Sequence, residues 1–276
     1  KRISESIGIQ KFFKGEKALD KINLINGDCL EEMKNIEDNS VDMILNDPPY
    51  GLTECKWDTV IDLNLMWDHL NRIIKKNGAI IFFGTQPFTS RLISSNYKMF
   101  KYCLVWKKSK VSHFAQAPYR FLTEHEDIIV FSKAGTAKNA KTRMKYNPQG
   151  LKDCYKICKG KSHSDHRPKR KVQDDYVQTK TGYPKSILEF SSDKAKHHPT
   201  QKPVVLLEYL IKTYSNEFDT VLDFTMGSGS TGVACKNLNR NFIGIELDDT
   251  YFKVSEKRIS ESIGIQKFFK GEKDEG

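Results

Sequence analysis

The sequence predicts an α/β fold built on a doubly wound, mostly parallel sheet. Short apolar runs alternate along the chain with longer stretches whose apolar residues recur at helical spacing. The runs are apolar nearly throughout, as in 41–45 and 79–83, which fits strands covered by helices on both faces.

Taken in order, residues 22–25 form the first expected strand and about 29–35 a helix. The run 41–45, broken only by Asp42, reads as a buried strand ending in a turn. Residues 63–76 have the pattern of an amphipathic helix, and "NGAIIFFG" at 77–84 reads as a turn followed by a buried strand. Two more strands are expected at 100–108 and 125–133. After a long basic stretch come a helix at 204–214, a strand at 218–224, a helix at about 231–237 and a strand at 241–247. A last helix starts at Asp249, where Tyr251, Phe252, Val254, Ile259 and Ile263 keep helical spacing.

At 276 residues the chain can bury a large core. No apolar run reaches the roughly 18 to 20 residues of a membrane span, and no charged-then-apolar leader opens the sequence. Six cysteines at this length suit reduced thiols in the cytoplasm. Cys29, Cys103 and Cys235 have apolar neighbours and are expected to pack as small hydrophobes.

The net charge of +10 is localised. Residues 136–202 hold 17 Lys/Arg and 6 Asp/Glu, a surplus of 11, so the remainder of the chain sums to −1. Tyr146, Tyr155, Tyr176 and Tyr183 are interleaved with these charges. A basic, aromatic-bearing segment of this kind is the footprint of a nucleic-acid-binding element; a solvated lysine-rich insertion would look the same. Residues 1–17 recur unchanged as 257–273. Such identity points to an extra arm or an artificial addition rather than a diverged structural repeat.

Two motifs carry chemistry. The first is "ILNDPPYG", 44–51, where a strand delivers Asp47 into a turn stiffened by Pro48 and Pro49. A fixed carboxylate, a fixed carbonyl and the Tyr50 ring within four residues can hold something flat and polar. The second is "DFTMGSGSTG", 223–232, which opens a helix after a strand. Gly227, Gly229 and Gly232 fit G-x-G-x-x-G, and Glu246 stands 19 residues after Gly227 at the end of the next strand. This pattern holds a ribose-bearing cofactor against glycine backbone, with the acid on the ribose diol. Four residues separate the strand's apolar run from the first glycine, wider than in most dinucleotide folds. That width suits an amino-acid tail, as in S-adenosylmethionine.

Together these motifs resemble the β-class DNA amino-methyltransferases, in which the DPPY turn precedes the recognition segment and the cofactor motif comes last. "NGDCLEEM" (26–33), "FGTQPFTS" (83–90) and "HPTQKP" (198–203) add to the likeness, which spans about 20–256. The resemblance implies a circularly permuted, Rossmann-like methyltransferase sheet of seven strands with a basic target-recognition insertion. It divides the chain into a catalytic half at 18–135, the insertion at 136–196 and a cofactor-binding half at 197–276.

It also implies roles. Asp47 and the Pro48 carbonyl would accept hydrogen bonds from the target amino group, with Pro49 stiffening the turn. Tyr50 would stack on a base flipped out of double-stranded DNA. Glu246 would take the ribose hydroxyls of S-adenosylmethionine, and Asp28 with Cys29 would border its adenine. Thr200, Gln201, Lys202, Asp223, Phe224, Gly227, Ser228, Gly229 and Thr231 would complete the cofactor site, with no metal. Many family members read Asp-Pro-Phe where this chain has Asp223-Phe224-Thr225. Asp47, where cytosine-N4 enzymes often carry Ser, favours adenine N6 as acceptor.

Cytosine N4, an adenine in RNA, and a non-catalytic nucleic-acid-binding partner remain as alternatives, with a nicotinamide enzyme last. Cys154, Cys158, His163 and His166 could hold zinc, but their spacing is unlike the common fingers. His125-Glu126-Asp127 reads as a structural motif at a strand start. The loop 112–121 could touch DNA through Gln116 or Arg120, or simply join two strands. Copy one of the repeat is expected either to be displaced or to dock on a second protomer as an exchanged arm, the second case giving a homodimer.

With the surplus charge concentrated in one segment, DNA affinity is expected to fall steeply as salt rises from about 50 to 200 mM. Fluorescence anisotropy across that range measures the slope, and a flat response would remove 136–202 as the DNA contact.

Overall fold

In the computed structural model the described residues are 21–51, 61–112, 114–159, 175–191 and 201–262. The repeat copy at 1–17 and the second copy beyond Ser262 lie outside them, as do Thr200, His163 and His166. Ten strands and six α-helices follow the expected alternation. The strands are β1 (Ile22–Asn26), β2 (Val41–Asn46), β3 (Ile74–Gly84), β4 (Phe100–Ser112), β5 (Thr123–Phe131), β6 (Lys152–Cys158), β7 (Tyr176–Thr181), β8 (Ile187–Glu189), β9 (Thr220–Asp223) and β10 (Asn241–Glu246). The helices are α1 (Cys29–Glu32), α2 (Leu63–Ile73), α3 (Phe88–Ser95), α4 (Val204–Tyr214), α5 (Ser230–Asn237) and α6 (Asp249–Glu261).

The main sheet has the order β1-β10-β9-β2-β3-β5-β4-β8. The first five strands run parallel, β5 is antiparallel to β3 and to β4, and β8 joins β4 in parallel. Seven strands were expected. The eighth, β8, comes from the basic segment, which therefore returns to the sheet edge. Strands β6 and β7 form a separate antiparallel pair in the same segment.

Both faces of the central strands are buried, which explains their uninterrupted apolar runs. Met43, Leu45, Ile81 and Phe83 face the side of Leu206, Leu210, Tyr214 and Ile259. Ile44, Ile80, Phe82 and Leu222 face the other side, with Trp67, Leu70 and Phe88. Asp42, the break in the β2 run, is buried at the N-terminal end of the sheet and paired to Lys75 at 2.7 Å and Lys145 at 3.2 Å. Burial opposes its charge, but Lys75, Thr220 and Lys145 outweigh burial and lower its pKa.

Two local expectations change. Helix α2 stops at Ile73, and the strand starts at once with Ile74. Pairing then jumps from Val41↔Ile74 to Met43↔Ala79, so 75–78 bulge out of register. The bulge needs Gly78, because a Cβ there would lie 2.7 Å from the Asp42 carbonyl oxygen and from Ile74 Cδ1. The second change is α3, where Phe88, Thr89 and Leu92 form a buried face.

Helix α6 closes one face over the glycine loop. Asp248 caps it, accepting from the amides of Thr250 at 2.8 Å and Tyr251 at 3.0 Å. Ile259 is 2% exposed, and Cβ atoms placed on Gly229 or Gly232 would strike its side chain. Truncating it leaves a cavity that these backbones cannot fill. Ile259→Ala is expected to lower folding stability by about 2–5 kcal/mol in chemical denaturation; an unchanged midpoint would show that α6 is not seated this way.

Candidate active site

Four candidate carboxylates sit at the C-terminal ends of parallel strands, where α/β sheets place their ligands. Asp28 follows β1, Glu246 ends β10, Asp223 ends β9 and Asp47 follows β2. These strands are consecutive in the sheet. Four carboxylates thus form a row across four strands, which at about 4.8 Å per strand spans roughly 15 Å.

The turn after β2 is tied to the glycine loop by Asn46, 1% exposed. Its Oδ1 accepts from the Phe224 amide at 2.9 Å and the Thr225 amide at 3.2 Å, and its Nδ2 donates to Thr225 Oγ1 at 3.0 Å. Thr225 Oγ1 donates to the Asp47 carbonyl oxygen at 3.2 Å. Asp47 then presents both carboxylate oxygens to neighbours. Tyr50 donates its hydroxyl to Oδ1 at 2.6 Å, and Lys202 Nζ lies 2.5 Å from Oδ2. The Tyr50 ring rests against Phe88, centroids 4.9 Å apart and planes 32° apart. Pro48 and Pro49 leave that backbone two fewer donors to satisfy.

Lys202 is 8% exposed. Beyond Asp47 it faces Glu126 Oε2 at 3.2 Å and stands 5.1 Å from the Phe83 ring centre. Lys108 faces the other Glu126 oxygen at 3.3 Å. Burial disfavours the Lys202 charge, yet Asp47 and Glu126 together outweigh it and raise the ammonium pKa above the ordinary lysine value. Burial also disfavours the Glu126 carboxylate, and Lys202 and Lys108 outweigh it, lowering its pKa. Glu126 Oε2 makes no hydrogen bond of good geometry, so the Lys202 charge is its compensation.

The glycine loop does two jobs. Gly227 (φ 53°) and Gly229 (φ 77°) are both left-handed, which favours glycine. A Cβ on Gly227 would meet nothing within 4 Å, whereas one on Gly229 would lie 2.8 Å from Ser255 Cβ. The first glycine borders open space and the second gives α6 its close approach. Arg258 of α6 binds the Ser228 carbonyl, Ser228 Oγ at 2.8 Å and Ser230 Oγ at 3.2 Å. Phe224 packs edge-on against Phe82 at 6.2 Å.

Glu246 Oε2 accepts from the Gly227 amide at 2.8 Å and Oε1 from the Asp248 amide at 2.9 Å, and burial raises its pKa. Asp223 accepts from Thr231 Oγ1 at 2.6 Å and the Thr225 amide at 3.3 Å. Burial pushes its pKa up to about 7 despite those bonds, with Asp47 and Glu246 adding repulsion. Asp28 caps α1 through the Leu30 and Glu31 amides at 2.9 and 3.2 Å. The Cys29 thiol is pushed up to about 12 by burial and by Asp28, leaving it without nucleophilic character at neutral pH.

The structure therefore gathers Asp47, Pro48, Pro49, Tyr50, Lys202, Asp223, Phe224, the glycine loop and Glu246 at one edge of the sheet. Gln201 is next to Lys202 in the chain, while Thr200 lies outside the described residues. Two residues near Asp47 were not singled out by sequence reasoning. Sequence reading gives Asn46 no role of its own, and Glu126 only a place in a structural motif at a strand start. Cys154 and Cys158 hydrogen-bond Gln178 through sulfur at 3.5 and 3.7 Å. Among the described residues no group of three or more His, Cys, Asp or Glu could hold a metal, and no helix is long and apolar enough to cross a membrane.

This constellation defines an amino-methyltransferase, and sequence comparison agrees. The DNA methylase family, which groups N6 and N4 enzymes, matches residues 41–257; the chain belongs to that family. Among relatives, the DNA adenine methyltransferase YhdJ of Escherichia coli (strain K12) is 31% identical over 253 residues, covering 86% of this chain and 82% of its own. The Type II methyltransferase M.HpaI of Haemophilus parainfluenzae is 29% identical over 254 residues, covering 86% and 73%. The crystal structure of the M1.HpyAVI–SAM complex superposes with a TM-score of 0.57 at 26% identity, covering 86% of this chain and 98% of that one.

Asp223 gives the site a pH signature. Between about pH 4 and 7 the folded protein keeps a proton that the unfolded chain, with the ordinary value of 3.8, has lost. The contribution of this group to stability therefore declines as pH rises through that window and is least favourable above 7. Asp223→Asn is expected to flatten the fall in thermal midpoint of the ligand-free protein between pH 5 and 8. Parallel profiles for parent and variant would show that the carboxyl titrates normally.

Proposed function

We propose that this chain is a site-specific DNA methyltransferase that moves a methyl group from S-adenosylmethionine to the exocyclic N6 of a flipped adenine. The row of four carboxylates ending beside the Asp47-Pro48-Pro49-Tyr50 turn carries this reading. Lys108 and Lys202 offset Asp47 and Glu126, while among the described residues Asp223 and Glu246 are held by amides and a hydroxyl, and Glu246 binds the amide of Gly227, where a Cβ would meet nothing within 4 Å. An anionic site next to the half-buried backbone of Gly227 fits a cofactor bearing a sulfonium and an ammonium. When bound, S-adenosylmethionine supplies a methyl group on a positively charged sulfur, a good leaving group.

The residues of the chain supply placement and charge. Glu246, already held by the Gly227 amide, faces the ribose diol. Asp28 and Cys29 would border the adenine of the cofactor, and Gln201, Asp223, Phe224, Ser228, Gly229 and Thr231 would line the rest of the site. A cationic amine near Asp223 favours its ionised form, so a partly protonated carboxyl becomes a charged partner. Tyr50 stacks on the flipped base in the place where it now meets Phe88. Asp47 and the Pro48 carbonyl accept the two amino hydrogens, which turns the nitrogen lone pair towards the methyl group. Asp47 is the carboxylate at hand for the proton that the nitrogen must then lose. Lys202 fixes Asp47 from behind, and Glu126 fixes Lys202.

Adenine is favoured because Asp47 stands where the related cytosine-N4 enzymes often have Ser, and because YhdJ is named an adenine enzyme. The likeness to M.HpaI, a Type II methyltransferase, supports action on a defined site in duplex DNA within a restriction–modification setting. We read the chain as cytoplasmic.

Labelled S-adenosylmethionine, mixed-sequence DNA and nucleoside separation test the reaction. N6-methyladenine is expected with the parent chain, and Asp47→Ala should lose at least about 100-fold in rate, as loss of a preorganised polar contact does. Label in N4-methylcytosine would transfer the assignment to cytosine, and label in RNA alone would remove DNA as the substrate.

A further inference from the structure

The longest hairpin in the fold is unusual for what it exposes. Strand β3 stops pairing at Gly84↔Asp127, but β4 and β5 continue past it through Trp106↔Glu126 and Lys107↔His125 to Ser112↔Thr123. The base of the projection is the active site itself, since Glu126 holds Lys202 and Lys202 holds Asp47. The register shifts between Lys107 and Ser112, so opposite these residues β5 runs only from Glu126 to Thr123, an advance of roughly 10 Å at most. The tip therefore stands out on the side from which a base must enter.

Every residue from Phe114 to Phe121 at the tip is exposed. Phe114 is 74% exposed, Tyr119 88% and Phe121 97%. The turn is internally bonded: the Phe114 carbonyl accepts from the Ala117 amide at 3.1 Å, and that of Gln116 from Tyr119 at 2.9 Å and Arg120 at 3.0 Å. Arg120 Nη1 also donates to Gln116 Oε1 at 3.3 Å. Backbone bonding of this kind gives the turn that carries Phe114 and Tyr119, and leads into Phe121, a defined shape. Between 107 and 125 the hairpin carries Lys107, Lys108, Lys110 and Arg120 against the single acid Glu124. An apolar tip flanked by cations matches a stacked, polyanionic duplex.

We propose that this tip is a wedge for double-stranded DNA: Phe121 enters the stack where the target base leaves, and Lys110 and Arg120 hold the neighbouring phosphates. The assignment rests on the proposed function, because only an enzyme acting on a base inside a duplex has a gap to fill. It adds a division of labour within that function. Tyr50 receives the flipped base inside the site, and Phe121 occupies the vacancy outside it. Tyr119 and Phe114 lie along the groove on either side.

The test compares the parent with Phe121→Ala and Phe121→Trp on two duplexes carrying a methylation site mapped with the parent. One duplex is fully paired and the other has an abasic position opposite the target, so that the base is already loosened. Phe121→Ala is expected to slow methylation of the paired duplex at least about tenfold, the factor that losing one base–aromatic stack costs. On the loosened duplex it should approach the parent rate, and Phe121→Trp should recover most of the loss on the paired one. With 2-aminopurine as the target base, the parent should raise fluorescence more than Phe121→Ala does. Equal rates of parent and Phe121→Ala on the paired duplex would overturn the wedge, as would an equal loss on both duplexes. Loss of self-association on gel filtration, with methylation intact, would assign the tip to a protein contact and overturn it too. A parent that methylates neither duplex overturns the proposed function and the wedge together.

Discussion

The two loops that form the site are joined by one buried amide. Asn46 and the backbone it binds at Phe224 are 178 residues apart in sequence. With three hydrogen bonds to the glycine loop, Asn46 sets the distance between the catalytic turn and the cofactor loop. An apolar side chain of similar size would leave the buried Phe224 amide without its partner, at a cost of about 1–3 kcal/mol, and the Thr225 amide with Asp223 alone. More to the point for function, it would free the two loops to drift, and methyl transfer in line tolerates little drift.

Charge is distributed with the same economy of contacts. Near the base, Asp47, Lys202, Glu126 and Lys108 alternate in sign along a chain of close pairs. Burying such a set is costly unless each member is matched, and the matching fixes the Asp47 side chain in one orientation. Near the cofactor loop the carboxylates of Asp223 and Glu246 are held by amides and a hydroxyl. The site thus has a half in which charges cancel pairwise and a half lined by carboxylates held by amides and a hydroxyl.

Much of this was legible in the sequence. The strands and helices follow from apolar runs that must be covered on both faces, and the two motifs carry their own geometry in their prolines and glycines. The misses have physical reasons. Ile74 fits the helical spacing of α2 as well as the pleat of β3, and only the pairing with Val41 decides between them. Gly229 fits a cofactor fingerprint, yet its Cα lies against Ser255, a contact set by tertiary packing. Glu126 is one of three adjacent polar residues at 125–127, and its side chain alone meets Lys202 through a fold contact across some 75 residues of chain. Asn46 looked like a neighbour of the motif because its partners lie near the other end of the sequence.

Strand order has a last consequence, for biosynthesis. β2 lies between β3 and β9, and among the described residues β1 pairs with β10 alone. The N-terminal half therefore holds one strand, β1, whose partner begins at Asn241, and another, β2, whose second partner begins at Thr220. Until the ribosome has passed those residues, one edge of β2 is open and β1 has no neighbour in the sheet. The nascent chain can form its β2–β3–β5–β4 block early, but the carboxylate row closes only when the final strands thread in between. Competence to bind and to react thus arrives together, late, and in a single step of assembly.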